Sequence, residues 1–130
     1  MSDKPSPTPK VAVVDDDPRI RALLEDELSD EGFTPCLCAS GRELIELVQA
    51  EQIDMVLLDL MMPEIDGLQC LEKLRELSYP GPVVIVTALS DDSKRRQALS
   101  SGAKDYVLKP DLFDALPRLL HQYLDAKSGA

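Results

Sequence analysis

Five short apolar runs constrain this chain more than any other feature, because each leads into a segment of a different period. Val11–Val14, Met55–Leu58 and Val83–Val86 are uninterrupted apolar stretches, and Thr34–Cys38 and Tyr106–Leu108 complete the set. A short apolar run without alternation suits a strand covered on both faces. Between the runs, apolar residues recur at helical spacing: Ile20, Leu23, Leu24 and Leu28; Leu44, Leu47 and Val48; Leu68, Leu71, Leu74 and Leu77; Leu116, Leu119, Leu120 and Leu124. A more polar helix is expected around Ala98 and Leu99, ending near Gly102. Five strands alternating with five helices predict an α/β domain, a parallel sheet with helices on both faces. Right-handed crossovers and a length of 130 residues favour the doubly wound, flavodoxin-like strand order 2-1-3-4-5.

Local punctuation agrees with that reading. Pro18 sits where a first helical turn tolerates it, and Gly32 can stop the same helix. Ser40 is an expected N-cap, with Glu43 completing a capping box. Asp91 and Asp92 look like a cap before the solvated face of Lys94, Arg95 and Arg96. Pro80-Gly81-Pro82 breaks the chain before the fourth strand. Asp114 is expected to cap the last helix, with Pro117 in its first turn. Residues 1–9 hold three prolines, two serines and a threonine, which predicts a flexible leader. The folded unit is expected over residues 10–125, and a flexible tail over 126–130.

Composition limits the partners. Twenty-four acids against 14 bases give a net charge of -10, which repels phosphate backbones and argues against nucleic-acid binding. No apolar run approaches the roughly 18 residues that span a bilayer, and no signal-peptide core is visible, so a cytoplasmic protein is expected. Cys36, Cys38 and Cys70 lack metal-type spacing and read as reduced packing residues.

The chemistry is expected at the carboxyl ends of the strands, beside the point where strand order reverses. Asp15 and Asp16 end the first strand and Asp59 ends the third. Gathering three like charges is costly unless a cation joins them, and hard oxygen ligands with room for water suit Mg²⁺. Thr87 ends the fourth strand and Lys109 the fifth. Acids, a hydroxyl and an ammonium around a metal form a set suited to phosphoryl transfer, with Asp59 as nucleophile.

In order and spacing, the motifs Val13-Val14-Asp15-Asp16-Asp17, Asp59-Leu60-Met61-Met62-Pro63 with Asp66-Gly67, Thr87-Ala88, Gly102-Ala103-Lys104-Asp105-Tyr106 and Lys109-Pro110 resemble the receiver domains of two-component response regulators. The resemblance runs from about Lys10 to Leu124. It implies a CheY-like fold that accepts a phosphoryl group on Asp59, from a sensor histidine kinase or a histidine phosphotransfer protein, and acts as a conformational switch. It implies Asp16 as a direct Mg²⁺ ligand, Asp15 acting mainly through water, and the Met61 backbone carbonyl completing the metal shell. Thr87 and Lys109 match the phosphate-contacting pair and Tyr106 the aromatic switch. The Lys109–Pro110 bond is expected to be cis. Met61 and Leu89 match the positions that tune the lifetime of the phosphoryl group. Such a domain promotes only its own phosphorylation and dephosphorylation, so no enzyme with a separate substrate is expected.

Lys104 stands where many DNA-binding regulators carry an acid of a dimer-face ion pair, which puts that dimer mode in doubt. A phosphorylation-dependent dimer and a downstream output protein or domain are the remaining partners the resemblance allows. No helix-turn-helix follows Leu124, which suggests a stand-alone receiver or one cut from a larger protein. His121 reads as a surface or packing residue rather than a phosphorelay histidine. Among rivals, a dehalogenase-type phosphatase would use Asp15 and Asp17 as its D-x-D pair, but Arg19 stands where it wants Thr or Val. An FMN-binding flavodoxin would not place three acids in its phosphate loop. A binding-only pseudo-receiver would not keep the Asp, Thr and Lys set.

Overall fold

The computed structural model describes residues 8–88 and 90–128, with side chains to residue 124. Its elements are β1 (Lys10–Val14), α1 (Pro18–Asp30), β2 (Thr34–Cys38), α2 (Gly41–Ala50), β3 (Met55–Asp59), α3 (Gly67–Glu76), β4 (Val83–Thr87), α4 (Asp92–Ser100), β5 (Asp105–Leu108), a 3₁₀ turn at Lys109–Asp111, and α5 (Leu112–Ser128). All strand pairs are parallel, in the order β2-β1-β3-β4-β5. The doubly wound topology expected from the sequence is therefore the one formed.

Alternation along the central strands divides the core in two. Ala12, Val14, Val56, Leu58, Val83 and Ile85 face one cluster, which Leu44 of α2, Leu71 and Leu74 of α3 and Ala98 of α4 close. Val11, Val13, Met55, Leu57, Val84 and Val86 face the other, closed by Leu24 and Leu28 of α1 and by Leu112, Leu116, Leu119, Leu120 and Leu124 of α5. Burial on both faces is why these runs lack polar alternation. β2 and β5 are the edge strands and are less buried than the central three. Thr34 donates its N–H inward to Pro9, so by alternation Pro35 turns its missing N–H outward, which blunts the open edge.

Several boundaries differ from expectation, each for a local reason. α5 begins at Leu112, because the 3₁₀ turn containing Pro110 runs directly into it. Asp114 therefore lies inside the first turn rather than at the cap, and Pro117 lies within the helix. Ser40 does cap α2, but Glu43 accepts from the Ala39 N–H at 2.8 Å rather than from Ser40. Leu77 is the C-cap of α3 and 40% exposed, not part of its buried face. The capping box that closes fully is Asp66 with Gln69, at α3. Gly32 follows α1 with φ +91°, as a stop signal requires.

Residues 1–7 of the expected leader lie outside the described residues, and Pro9 already takes part in the pairing beside β2. The backbone of α5 stays helical through Ser128, beyond the boundary expected at residue 125. No helix among the described residues is long and apolar enough to cross a membrane.

Candidate functional site

Strand register assembles the site. Val14 of β1 pairs with Leu58 of β3, so the next residues on each strand, Asp15 and Asp59, emerge side by side. Asp59 pairs with Val86 of β4, which puts Thr87 one residue further along. Thr87 pairs with Leu108 of β5, and Lys109 follows. Asp15, Asp59 and Thr87 are 3%, 3% and 0% exposed, and they make up the buried polar set among the described residues. Burying a polar side chain is costly without partners, so the concentration of all three at one rim marks it as a site.

One carboxylate oxygen each from Asp15, Asp16 and Asp59 lie within 4.8 Å of one another. Lys109 Nζ stands 3.0 Å from Asp15 Oδ2 and 3.4 Å from Asp59 Oδ2. The other oxygen of Asp59 accepts from the Met61 N–H at 3.3 Å, and Asp15 Oδ1 accepts from the Asp17 N–H at 2.9 Å. Burial, reinforced by the charge of Asp15, pushes the Asp59 carboxyl up to about 6; Lys109 and the Met61 N–H only partly offset this. Burial works against the charge on Lys109, but its bonds to Asp15 and Asp59 outweigh that and raise its pKa. A single lysine thus balances the two buried acids incompletely.

The donor set fits a hard divalent cation. The acids converge closely enough to share an ion, and Asp16 is exposed at the mouth, which leaves room for the several waters that Mg²⁺ retains. The upward shift of Asp59 comes first from burial and then from the neighbouring Asp15 charge, and a bound cation would offset both.

Other predicted residues fall in different places. The Met61 side chain is 57% exposed beside the cleft; Leu89 lies outside the described residues. Tyr106 is half-buried against the first core cluster and lines a groove of about 500 Å³ between α4, β5 and α5, away from the acids. The expected cis Lys109–Pro110 bond is not formed: no cis peptide occurs among the described residues. With a trans bond, Pro110 enters the 3₁₀ turn and Lys109 still reaches both acids. His121 is exposed on α5. Cys38 and Cys70 are buried and Cys36 is half-buried, all as free thiols. Burial pushes Cys38 up to about 12 and Cys70 to about 11, which suppresses thiolate chemistry.

Three residues contribute in roles that were not assigned from sequence. Asp17 is the N-cap of α1, and its carboxylate accepts from the Arg19 N–H, Nε and Nη2. Both oxygens of Asp17 are thereby engaged by Arg19. Gly67 packs against the end of β3: a Cβ there would lie 2.6 Å from the Asp59 carbonyl oxygen and 2.7 Å from Leu60 Cα. Its signal was present as Asp66-Gly67, a cap followed by a residue that permits close approach. Arg21 donates to the Asp15 carbonyl oxygen at 2.7 Å, a backbone contact that carries no side-chain pattern.

Comparison with known proteins bears on this geometry. The family model for the response regulator receiver domain matches residues 11–121. The chain belongs to that family. This receiver domain is 42% identical over 101 residues to a probable transcriptional regulator, ycf27, of Porphyridium aerugineum, covering 78% of this chain and 42% of that protein. It spans less than half the length of the curated relatives it matches first. Its fold is similar to that of the chemotaxis protein CheY4 of Vibrio cholerae, with TM-score 0.83 and 26% identity over 90% of this chain and 99% of that one. It is also similar to the response regulator TrrA of Thermotoga maritima, solved in complex with Mg²⁺–BeF, with TM-score 0.79 and 31% identity over 88% and 97%. A receiver domain of two-component signalling accounts for a strand-end site of this composition.

Proposed function

We propose that Asp59 of this receiver domain accepts a phosphoryl group from a phosphohistidine of a sensor kinase or histidine phosphotransfer protein, with Mg²⁺ held by Asp15, Asp16, Asp59 and the Met61 carbonyl. The observation that carries the reading is the cleft itself: Asp59 is buried, yet it shares the site with two more acids and with Lys109 Nζ 3.4 Å away. An Asp59 oxygen forms the new bond to phosphorus while the P–N bond breaks. The donor imidazole leaves with the electron pair, and the product is an acyl phosphate. Mg²⁺, when bound, neutralises charge on the phosphoryl oxygens. Lys109, already poised between Asp15 and Asp59, supplies a second positive charge to the incoming group.

The same reading assigns Thr87 to a phosphoryl oxygen and Tyr106 to the response. A Thr87 hydroxyl drawn toward the phosphate vacates space on the neighbouring strand, and Tyr106 moves inward. Because Tyr106 lines the groove between α4 and α5, its movement would change the surface offered to an output partner or a second copy. The domain acts in the cytoplasm, on its own phosphoryl group and on no separate substrate. The test is incubation with Mg²⁺ and a small acyl phosphate, followed by intact mass. One added phosphate that disappears in Asp59→Asn supports the reading. An Asp59→Asn protein that labels fully would place the acceptor elsewhere.

A further inference from the structure

Arg21 uses its guanidinium in an unexpected way. It projects from α1, is half-buried, and donates through Nη1 to the main-chain oxygen of Asp15 at 2.7 Å. A guanidinium presents a planar fork of donors suited to carboxylates. Asp15 and Asp16, in the loop just before α1, converge with Asp59 at the end of β3, yet among the described residues the Arg21 guanidinium pairs with none of the three carboxylates. Its one bond goes to a neutral carbonyl.

That carbonyl belongs to the peptide joining Asp15 to Asp16. Most of the loop's other polar groups are tied down. The Asp15 N–H donates to the Cys38 carbonyl at 3.1 Å. The Asp15 carboxylate holds the Asp17 N–H and Lys109, and Asp17 caps α1. The exposed Asp16 carboxylate has no hydrogen-bond or ion-pair partner among the described residues. With no partner to hold the side chain, the backbone fixes only the Cα–Cβ direction from which it starts, and the peptide plane that Arg21 holds is the one immediately before it.

From these contacts we infer that Arg21 is a positioning residue for the metal site: by fixing the Asp15–Asp16 peptide, it aims the Asp16 carboxylate at the cluster with Asp15 and Asp59. The inference rests on the proposed Mg²⁺ site. Arg21 also brings positive charge near the acids, which by itself would weaken binding of a divalent cation. The two effects have opposite signs. Positioning makes removal of Arg21 weaken Mg²⁺ binding, whereas charge alone makes removal strengthen it.

Mg²⁺ titration of the full chain by calorimetry, without phosphodonor, separates them. Arg21→Met is expected to weaken Mg²⁺ binding about tenfold, the scale typical of residues that orient metal ligands. Arg21→Gln, too short to reach the carbonyl, should match it and serves if the Met variant does not fold. Arg21→Lys retains a charged donor on a long stem and should recover most of the affinity. In an Asp16→Ala background, Arg21→Met should cost little more, since the ligand it aims is gone; a general structural role would cost as much as before. Unchanged or tighter Mg²⁺ binding in both neutral Arg21 variants, with Asp16→Ala clearly weakened, would overturn the role of Arg21 and leave the metal site standing. Unchanged binding in Asp16→Ala as well would overturn both.

Discussion

Lys109 Nζ is nearer to Asp15, at 3.0 Å, than to the proposed acceptor Asp59, at 3.4 Å. The lysine therefore serves first as counter-charge to a buried acidic pair. Lys109→Met leaves Asp15 and Asp59 facing each other without it. Breaking a buried pair costs about 3–5 kcal/mol; this cleft opens to water, so a loss of about 2 kcal/mol is expected. Denaturant melts in EDTA should show that loss, and added Mg²⁺ should restore part of it.

The elevated Asp59 carboxyl predicts a pH dependence for the metal-free protein. With a folded-state pKa of about 6 against an ordinary 3.8, the native state keeps a proton that the unfolded chain has lost between those values. Stability contributed by this group is thus full below about pH 4 and declines as pH rises through 6. The decline is at most about 3 kcal/mol from a shift of this size. Thermal melts in EDTA from pH 4 to 7.5 should show a smaller decline for Asp59→Asn than for the parent. Parallel curves for the two proteins would remove Asp59 as the titrating group.

Gly67 makes the position of Asp59 depend on close packing. A Cβ within 2.6 Å of the Asp59 carbonyl and 2.7 Å of Leu60 Cα meets backbone rather than a flexible side chain. Gly67→Ala should destabilise the domain by about 1–3 kcal/mol through overpacking and slow phosphoryl uptake by displacing the end of β3. Gly32→Ala is the contrasting control. It meets nothing within 4 Å but sits at φ +91°, so it should cost stability through backbone strain without changing the rate of uptake.

Much of this architecture was readable in the sequence, and the residues show why. The apolar runs of β1, β3 and β4 are buried on both faces, so they lack alternation, and their short length with flanking breakers marked them as strands. Asp15, Asp59, Thr87 and Lys109 were legible because strand ends in a parallel sheet share one rim. The misreadings are local. Pro110 and Asp114 both carry helix-start signals, and the choice between them depended on a 3₁₀ turn that only the packed chain defines. Glu43 could reach either of two N–H groups, and spacing does not distinguish them. The cis bond at Lys109 came from family resemblance; the path of the turn into α5 makes it unnecessary for Lys109 to reach Asp15. Arg21 was invisible because its partner is a backbone carbonyl.

The exposed Met61 side chain bears on how long a phosphoryl group would persist. Its backbone N–H contacts Asp59, but the thioether offers little help to an attacking water. Replacing Met61 with Asn and Leu89 with Glu should accelerate loss of the aspartyl phosphate by roughly tenfold, equivalent to about 1.4 kcal/mol of barrier. The check is decay of the purified phosphoprotein in Mg²⁺ buffer. A double variant that decays no faster than the parent would mean that the lifetime is set elsewhere.

Borohydride trapping tests most directly whether Asp59 carries the phosphoryl group. Reduction converts an aspartyl phosphate to homoserine and leaves free carboxylates and phosphate esters unchanged. After incubation with Mg²⁺ and a small acyl phosphate, peptide mass spectrometry should find homoserine at position 59 and at neither Asp15 nor Asp16. Homoserine at another acid, or a stable phosphate on a hydroxyl with position 59 unmodified, would contradict the account.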